Sequence, residues 1–95
     1  VAVDGQGDLV LVDAGQHRLL VLRLEDGSYV LSIGSFGSEP GQLKHPEGVA
    51  VDGRGHVVVA DTGNSRLQVL RMEDGQHVST LDDGQFYRPY GVAVL

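Results

Sequence analysis

The chain contains no cysteine and no tryptophan. Without cysteine, neither a disulfide framework nor a thiolate metal site can form within these residues, and the redox compartment stays open. Long apolar runs are missing as well: no stretch of about 18 apolar residues occurs, so the sequence predicts no membrane span. A hydrophobic share of 41% combined with 14 glycines instead indicates a soluble, turn-rich globular composition.

Positive charge is also scarce. Seven Lys and Arg residues stand against 13 Asp and Glu, which gives a net charge of −6. Nucleic-acid affinity depends largely on clustered Lys and Arg, so a broad phosphate-binding face is not expected. The charge balance therefore disfavours RNA as a partner.

What the chain does contain is a repeat. Residues 1–33 can be laid over residues 49–81 at a constant offset of 48 without a gap, and residues 89–94 restate residues 46–51. Repeats of about 20 to 50 residues are typical of solenoids, propellers and arrays, whose units bury their faces against neighbours. Because the chain opens without methionine and stops just inside a third copy, we expect it to be a piece of a longer protein. Three segments are predicted: 1–45 and 46–88, each a repeat with its connector, and 89–95, the first strand of a third repeat.

The second copy shows how one unit is built. Asp-Gly turns and a cluster of turn-forming residues divide it into short β-branched runs, with no helical periodicity between them. Four antiparallel strands are predicted, at 48–51, 56–60, 66–71 and 77–81. The second strand, and much of the third strand in the first copy (19–22), are apolar on both faces, which predicts burial on both faces. The fourth strand is mixed and predicted to be the outer strand. The unit reads as one all-β propeller blade. A β-sandwich is the structural rival, but its strands have no reason to repeat as a set of four.

These residues resemble an NHL repeat. The similarity covers essentially the whole chain, and its elements are Pro46-x-Gly48, Asp52-x-x-Gly55 and Asp61-x-x-Asn64-x-Arg66, each placed before or between the predicted strands. The resemblance implies an NHL-type β-propeller, commonly of six blades. Here it would comprise two four-stranded antiparallel blades and the first strand of a third. The absence of tryptophan argues against the WD type of propeller, whose signature needs that residue.

One turn is expected to differ between the copies. Gln16 and His17 stand in the first copy where the second has Asn64 and Ser65. Because Asn tolerates the left-handed conformation far better than Gln, we expect the first copy to turn slightly differently here.

No residue is predicted to be catalytic. The pair Asp61 and Arg66 recurs as Asp13 and Arg18, and a feature that recurs in each unit is expected to be an ion pair or turn lock, because a catalytic site is normally singular. The four histidines lack zinc-site spacing, and no Gly-x-Ser-x-Gly motif occurs. The sequence therefore predicts no enzyme activity in this chain, no metal site and no cofactor.

The residues that do not repeat are the better candidates for function. The connector before the third copy is five residues shorter than the one before the second, and it carries an aromatic and basic cluster. Loops on a rigid scaffold are where binding residues concentrate, and aromatic residues and Arg are typical of interface hot spots. The predicted binding residues are Phe86, Tyr87, Arg88 and Tyr90. The alternative is that Phe86 and Tyr87 fill the space between blades.

A protein–protein interaction scaffold is the function we expect from these features. Two alternatives remain: an RNA-binding NHL propeller, and part of a six-bladed propeller lyase or hydrolase whose active residues lie in other blades. A protein partner is expected and a membrane is not. Self-association to complete a propeller is also conceivable, with three copies supplying six blades. The sequence leaves the localisation open, with the cytoplasm slightly favoured.

Overall fold

A computed structural model describes residues 2, 3, 5 and 7–82. Within these residues the regular structure is two four-stranded antiparallel sheets, each with its strands in chain order. The first sheet, blade 1, contains β1 (Ala2–Val3), β2 (Asp8–Asp13), β3 (Arg18–Arg23) and β4 (Tyr29–Ile33). The second sheet, blade 2, contains β5 (Gly48–Val51), β6 (His56–Asp61), β7 (Arg66–Arg71) and β8 (His77–Leu81). The predicted all-β, blade-like architecture is confirmed, and the third-repeat strand predicted at 89–95 lies outside the described residues.

The two blades follow the same local plan. In each, the third and fourth strands shift register at one point, between Val21 and Leu22 in blade 1 and between Val69 and Leu70 in blade 2. These points are 48 residues apart. The Asp-Gly turns work as predicted, because Gly27 and Gly75 occupy the left-handed region at φ of 73° and 75°.

A short 3-10 turn joins the second and third strands of each blade, at Ala14–Gln16 in blade 1 and Thr62–Asn64 in blade 2. The left-handed residue is the one after this turn, His17 at φ 57° and Ser65 at φ 52°. The expectation that the turns differ is therefore wrong. Gln16 and Asn64 lie inside the 3-10 turn, where no positive φ is needed, so the exchange of one for the other does not alter it.

The core lies in the seam between the blades. Strand β5 packs against β1 and β2 across this seam. Both blades contribute apolar side chains to one cluster, whose buried members are Val10, Leu19, Val21, Ile33, Leu43, Val49, Val57, Val59, Leu70 and Met72. The apolar middle strands thus bury the face that meets the other blade.

The predicted burial on both faces of the middle strands is observed only in part. Ala60, which shares a face of β6 with Val58, is fully buried, but most of the side chains on that face are not. In β6, Val57 and Val59 are buried, whereas Val58, which points to the opposite face, is only half-buried. The same alternation occurs in β3, where Leu19 and Val21 are buried and Leu20 is half-buried. The physical reason is that, within the described residues, each blade has one neighbouring blade and therefore one covered face. The mixed, outer character predicted for the fourth strand holds for β8.

Candidate functional site

A connector, residues 34–47, runs from the end of β4 to the start of β5 and is fixed to blade 2 by buried polar groups. The centre of this network is Asp61, which is fully buried. One of its carboxylate oxygens accepts the backbone N–H of Lys44 at 2.7 Å, and the other accepts Arg66 Nε at 2.7 Å and Asn64 Nδ2 at 3.0 Å. A buried carboxylate needs such donors, because an unpaired buried charge is strongly destabilising.

Arg66 links the Asp61 carboxylate to the connector backbone. Its guanidinium donates to the carbonyl oxygens of Ser38 at 2.9 Å, Glu39 at 3.2 Å and Gln42 at 2.9 Å. All three nitrogens of the fork are therefore used, one by Asp61 and two by the connector. The repeated acid and base act as a structural lock, in agreement with the interpretation of the pair from its recurrence.

Gln68 completes the attachment from β7. It is fully buried, and its amide oxygen accepts the N–H of Gly41 at 2.9 Å while its amide nitrogen donates to the Gln42 carbonyl at 2.6 Å. Across the described residues, no buried side-chain nitrogen or oxygen lacks a hydrogen-bond partner. The connector is thus anchored to blade 2 by side-chain hydrogen bonds, although it has no strand pairing of its own beyond one bridge between Phe36 and Leu43.

This anchored connector presents an aromatic cluster, defined here as Phe36, His17 and His45. The His17 ring lies edge-on to the Phe36 ring at a centroid distance of 4.6 Å and to the His45 ring at 4.4 Å. Phe36 is nevertheless 60% exposed. Aromatic pairs in this edge-to-face geometry stabilise each other beyond the area they bury, so the Phe36 ring is oriented and yet accessible.

The backbone is strained at both histidines of the aromatic cluster. His17 has a φ of 57° and His45 a φ of 46°. Histidine is one of the residues that tolerate this region, but the conformation still costs roughly 1–2 kcal/mol at a residue with a Cβ. The backbone N–H of His45 donates to His17 Nδ1 at 3.0 Å, so the neutral His17 ring holds its proton on Nε2. At His17 this conformation belongs to the repeated turn, because Ser65 at the equivalent position of blade 2 has a φ of 52°.

A groove of about 550 Å³ opens at the other end of the seam. Its floor is apolar, with Val21, Leu31, Val51 and Met72, and its rim is charged. The rim residues are Asp8, Asp52, Arg54, His56, Arg71 and Glu73.

Asp52 orders one side of this rim. It accepts the backbone N–H groups of His56 at 2.9 Å and Arg54 at 2.8 Å, and its second oxygen lies 2.8 Å from His56 Nδ1. The hydrogen bond from the His56 backbone is the main cause that holds the pKa of Asp52 below the usual value of an aspartate. These bonds close the hairpin between β5 and β6, so Asp52 has a structural role at the groove.

The predicted binding residues Phe86, Tyr87, Arg88 and Tyr90 lie outside the described residues. Their sequence can still be compared with the described connector, because residues 84–91 (GQFYRPYG) repeat residues 41–48 (GQLKHPEG). Phe86 then stands at the position of Leu43, which is fully buried in the seam. The other three stand at the positions of Lys44, His45 and Glu47, all of which are exposed.

The aromatic cluster was not predicted from the sequence. Phe36 lies 19 residues from His17 in the chain, and His45 lies 28 residues from it, so no local motif joins them. One signal was available: His17 replaces Ser65 at an otherwise repeated turn, and Phe36 is one of two phenylalanines, both on connectors.

Two further kinds of site were sought among the described residues. No group of three or more His, Cys, Asp or Glu side chains is placed to hold a metal ion there. Nor does that part of the chain contain a helix with the length and apolar character required to cross a membrane.

The fold and the seam define a pair of β-propeller blades. The structure is similar to that of apo AztD from Citrobacter koseri, which has a β-propeller-like fold, with a TM-score of 0.71 and 15% sequence identity. The similarity covers 96% of this chain and 24% of the AztD chain, so this chain spans about a quarter of the solved structure. At this identity the similarity concerns the fold alone.

Residues 43–70 match the family model of the NHL repeat. The match begins in the connector and ends at the last but one residue of β7, and it confirms the resemblance predicted from the sequence. The sequence matches no curated protein.

Proposed function

We propose that this pair of blades is a non-catalytic protein-binding scaffold and that the aromatic cluster is its binding surface. The observation that carries the proposal is the geometry of Phe36, an exposed aromatic ring held edge-on against His17, whose ring in turn contacts His45. A single exposed apolar side chain is ordinary on a protein surface. A ring whose orientation is fixed by neighbours costs less entropy to bind, and that is how binding surfaces gain affinity.

The rigidity of the connector supports the same proposal. Because Asp61, Arg66 and Gln68 fix its backbone, Phe36 projects from a segment that does not have to be ordered when a partner arrives. Aromatic anchors in fixed positions are the usual hot spots of protein interfaces. The partner we expect is a protein that brings an apolar side chain to the exposed face of Phe36.

The second connector carries the binding residues predicted from the sequence. In sequence, Tyr87, Arg88 and Tyr90 align with Lys44, His45 and Glu47 of the described connector. They lie outside the described residues, and their role in binding stays a prediction from the sequence.

The test compares two exposed aromatic residues at opposite ends of β4. Phe36 follows the end of this strand, whereas Tyr29, 65% exposed, begins it. Proteins captured from a lysate by the full chain would be compared for the wild type, Phe36→Ala and Tyr29→Ala. The Kd of the recovered partner would then be measured by titration calorimetry with purified components.

We expect Phe36→Ala to weaken binding by about 30-fold, the size of a hot-spot loss of about 2 kcal/mol, and Tyr29→Ala to leave the Kd nearly unchanged. The proposal fails if no protein is specifically recovered by the wild type. It also fails if the two variants bind the partner equally well.

A further inference from the structure

His17 is the point at which a side chain of blade 1 holds the connector. Its ring lies between Phe36, near the start of the connector, and His45, near its end, and its Nδ1 accepts the His45 backbone N–H at 3.0 Å. The other side chains outside the connector that bond to its backbone belong to blade 2: Asp61, Asn64, Arg66 and Gln68. Among the described residues, His17 therefore supplies the only side-chain hydrogen bond from blade 1 to the connector.

This hydrogen bond stabilises a conformation that the connector would otherwise avoid. His45 has a φ of 46°, in the left-handed region that costs free energy at a residue with a Cβ. Both of its neighbours are fixed, because the Lys44 N–H donates to the buried Asp61 carboxylate at 2.7 Å and Pro46 is fully buried. The state of the His17 ring therefore acts on one backbone group that lies between two anchored residues.

The hydrogen bond requires a neutral His17 ring. Nδ1 accepts the His45 N–H only while its lone pair is free. A protonated imidazole carries an N–H at both ring nitrogens, so no rotation of the ring restores an acceptor. Histidine is the side chain whose charge ordinarily changes between about pH 5 and 8. Mild acid thus replaces the acceptor with a donor that faces the His45 N–H.

The side chains around His17 leave a protonated ring without a partner. The carboxylate of its own turn, Asp13, is already bonded to Arg18 at 3.0 Å. The charged and titratable side chains of the connector are Glu39, Lys44, His45 and Glu47. The one in ring contact with His17 is His45, which in acid gains a positive charge of its own. Two imidazolium rings with centroids 4.4 Å apart repel each other.

Neither blade 2 nor Phe36 compensates for the lost hydrogen bond. The Asp61 carboxylate of blade 2 is paired with Arg66, and in the described part of the chain the one histidine with an ion pair is His56. The face of an aromatic ring attracts cations, but only weakly where the ring is as exposed as that of Phe36. The lost bond and the repulsion from His45 both act in the opposite direction.

From this geometry we propose that the aromatic cluster is a pH-sensitive switch, in which a neutral His17 ring holds His45 and orients Phe36, and protonation of His17 in mild acid releases both. Protonation of clustered histidines is a known way for an interface to respond to pH. The effect on a partner rests on the binding function proposed above, because it assumes that an oriented Phe36 binds better than a free one. The opening of the cluster does not depend on that function.

Nuclear magnetic resonance of the full chain tests the opening without a partner. The two nitrogens of an N–H···N hydrogen bond show a scalar coupling, so the bond from His45 to His17 is observed directly. The Phe36 ring protons report whether this ring keeps its contact with His17. Spectra are compared at about pH 7.5 and about pH 5.5, both above the range in which carboxylates ordinarily take up protons.

Two variants identify the group that titrates. His17→Asn places an amide oxygen at about the position of Nδ1, where it accepts a hydrogen bond at either pH, and Asn tolerates the left-handed region. His77→Asn is the matched control, because it removes an imidazole that bonds the Thr80 hydroxyl at 2.7 Å in blade 2. If circular dichroism shows that His17→Asn misfolds, His17→Ser replaces it, since Ser65 occupies the equivalent position at a φ of 52°.

We expect the coupling to be present at the higher pH and absent at the lower one in the wild type and in His77→Asn, with the Phe36 ring signals moving in both. In His17→Asn the Phe36 signals should stay in place. Persistence of the coupling in the wild type at the lower pH would overturn the proposal. An equal movement of the Phe36 signals in His17→Asn would also overturn it, because another group would then be the trigger.

Binding measurements separate the switch from the proposed function. For the partner recovered with the wild type, the Kd should rise about fivefold from the higher to the lower pH, the size of one lost hydrogen bond, and the rise should be absent in His17→Asn. Titration of the partner itself affects all variants alike and cancels in this comparison. An equal rise in His17→Asn would contradict the switch and leave binding at Phe36 standing. Failure to recover any partner would contradict the binding function, and the resonance experiment would still decide the switch.

Discussion

Blade 1 and blade 2 share the bounds of their second, third and fourth strands, their register and the position of their register shift, yet their repeated ion pairs lie in different environments. In blade 2, Asp61 and Arg66 are buried under the connector, with side-chain exposures of 0% and 10%. In blade 1, Asp13 and Arg18 are 3.0 Å apart with side-chain exposures of 29% and 39%. The same two residues form a buried lock in one blade and a surface pair in the other.

The difference shows that the repeated sequence determines the strands and their register, whereas the connector determines whether the ion pair is buried. Among the described residues, a connector covers only the blade 2 pair. The residues that receive this connector have also diverged, since Gln68 and Asn64 correspond to Leu20 and Gln16. The two copies are therefore more similar in sequence than in the contribution of their equivalent residues to stability.

The largest expected effect comes from removing the acid of each pair. Asp61→Ala leaves the buried Arg66 without its charge partner and should lower the free energy of unfolding by about 3–5 kcal/mol. Asp13→Ala, at a pair that is partly open to solvent, should cost only about 1 kcal/mol. Urea denaturation followed by circular dichroism measures both. Equal losses in the two variants would contradict the contrast between the blades.

An exchange at the third strand should have a smaller effect. Gln68→Leu gives blade 2 the residue of blade 1 and leaves the Gly41 N–H without its acceptor and the Gln42 carbonyl with one donor fewer. We expect a loss of about 1–3 kcal/mol, the cost of an unsatisfied, partly buried polar group. The reverse change, Leu20→Gln, is the matched control and should cost less, because the new amide can reach water. The same urea titrations apply, and a Gln68→Leu variant as stable as the wild type would show that the connector is held by other contacts.

Two equivalent glycines provide the next comparison. A Cβ at Gly63 would lie 2.5 Å from the Lys44 carbonyl oxygen, whereas a Cβ at Gly15 would meet nothing within 4 Å. Gly63→Ala should therefore displace the connector and cost about 1–3 kcal/mol, as overpacking does. Gly15→Ala should be neutral or stabilise by up to about 1 kcal/mol, through the entropy of the unfolded chain. Thermal unfolding of both variants would reveal the opposite signs.

Acid sensitivity should be the smallest effect and should not distinguish the blades. The Ser28 hydroxyl is the main cause that lowers the pKa of Asp26, and the Arg71 guanidinium is the main cause that lowers the pKa of Asp74, the equivalent residue. A folded-state pKa below the unfolded value stabilises the fold above the unfolded pKa of about 4, and this contribution is lost as the pH falls through the folded value.

Stability measured by urea denaturation should accordingly decline as the pH falls below about 4. Asp26→Asn and Asp74→Asn should each flatten this decline by a similar amount, because the two carboxylates close equivalent exposed turns of the two blades. A strong effect in one blade alone would mean that the difference between the blades extends to their surface turns.

Strand positions could be predicted because each depends on local chemistry that the duplicated sequence displays twice. Three of the four strands predicted for blade 2 have the observed bounds, and the other, β6, extends one residue further, to Asp61. Burial on both faces could not be judged from the strand sequence, since it depends on how many neighbours a blade has. The lock at Asp61 was expected to be structural, but its partners were not foreseen, because they are carbonyl groups that any sequence supplies.

The aromatic cluster could not be predicted from the sequence, for a similar reason. His17 and His45 meet only because a turn of blade 1 lies beside the connector to blade 2, and this is a property of the seam. The predicted candidates Phe86, Tyr87, Arg88 and Tyr90 were chosen because they do not repeat. Phe36 lies on the other connector, where no local motif marks it. The divergence of His17 from Ser65 predicts only a change of turn.

The seam between the blades also limits how such a gene could change in length. In the seam, blade 1 presents the face with Val10 and Val21, whereas blade 2 presents the opposite face of its sheet, with Val57 and Leu70. Each unit therefore has one face of each kind. The gain or loss of one whole unit would leave only contacts between these two kinds of face. An insertion of one residue within a strand would instead turn its apolar side chains from one face to the other and spoil two contacts at once. The unit of duplication and the unit of packing coincide in this chain, so growth by duplication requires no new interface to be invented.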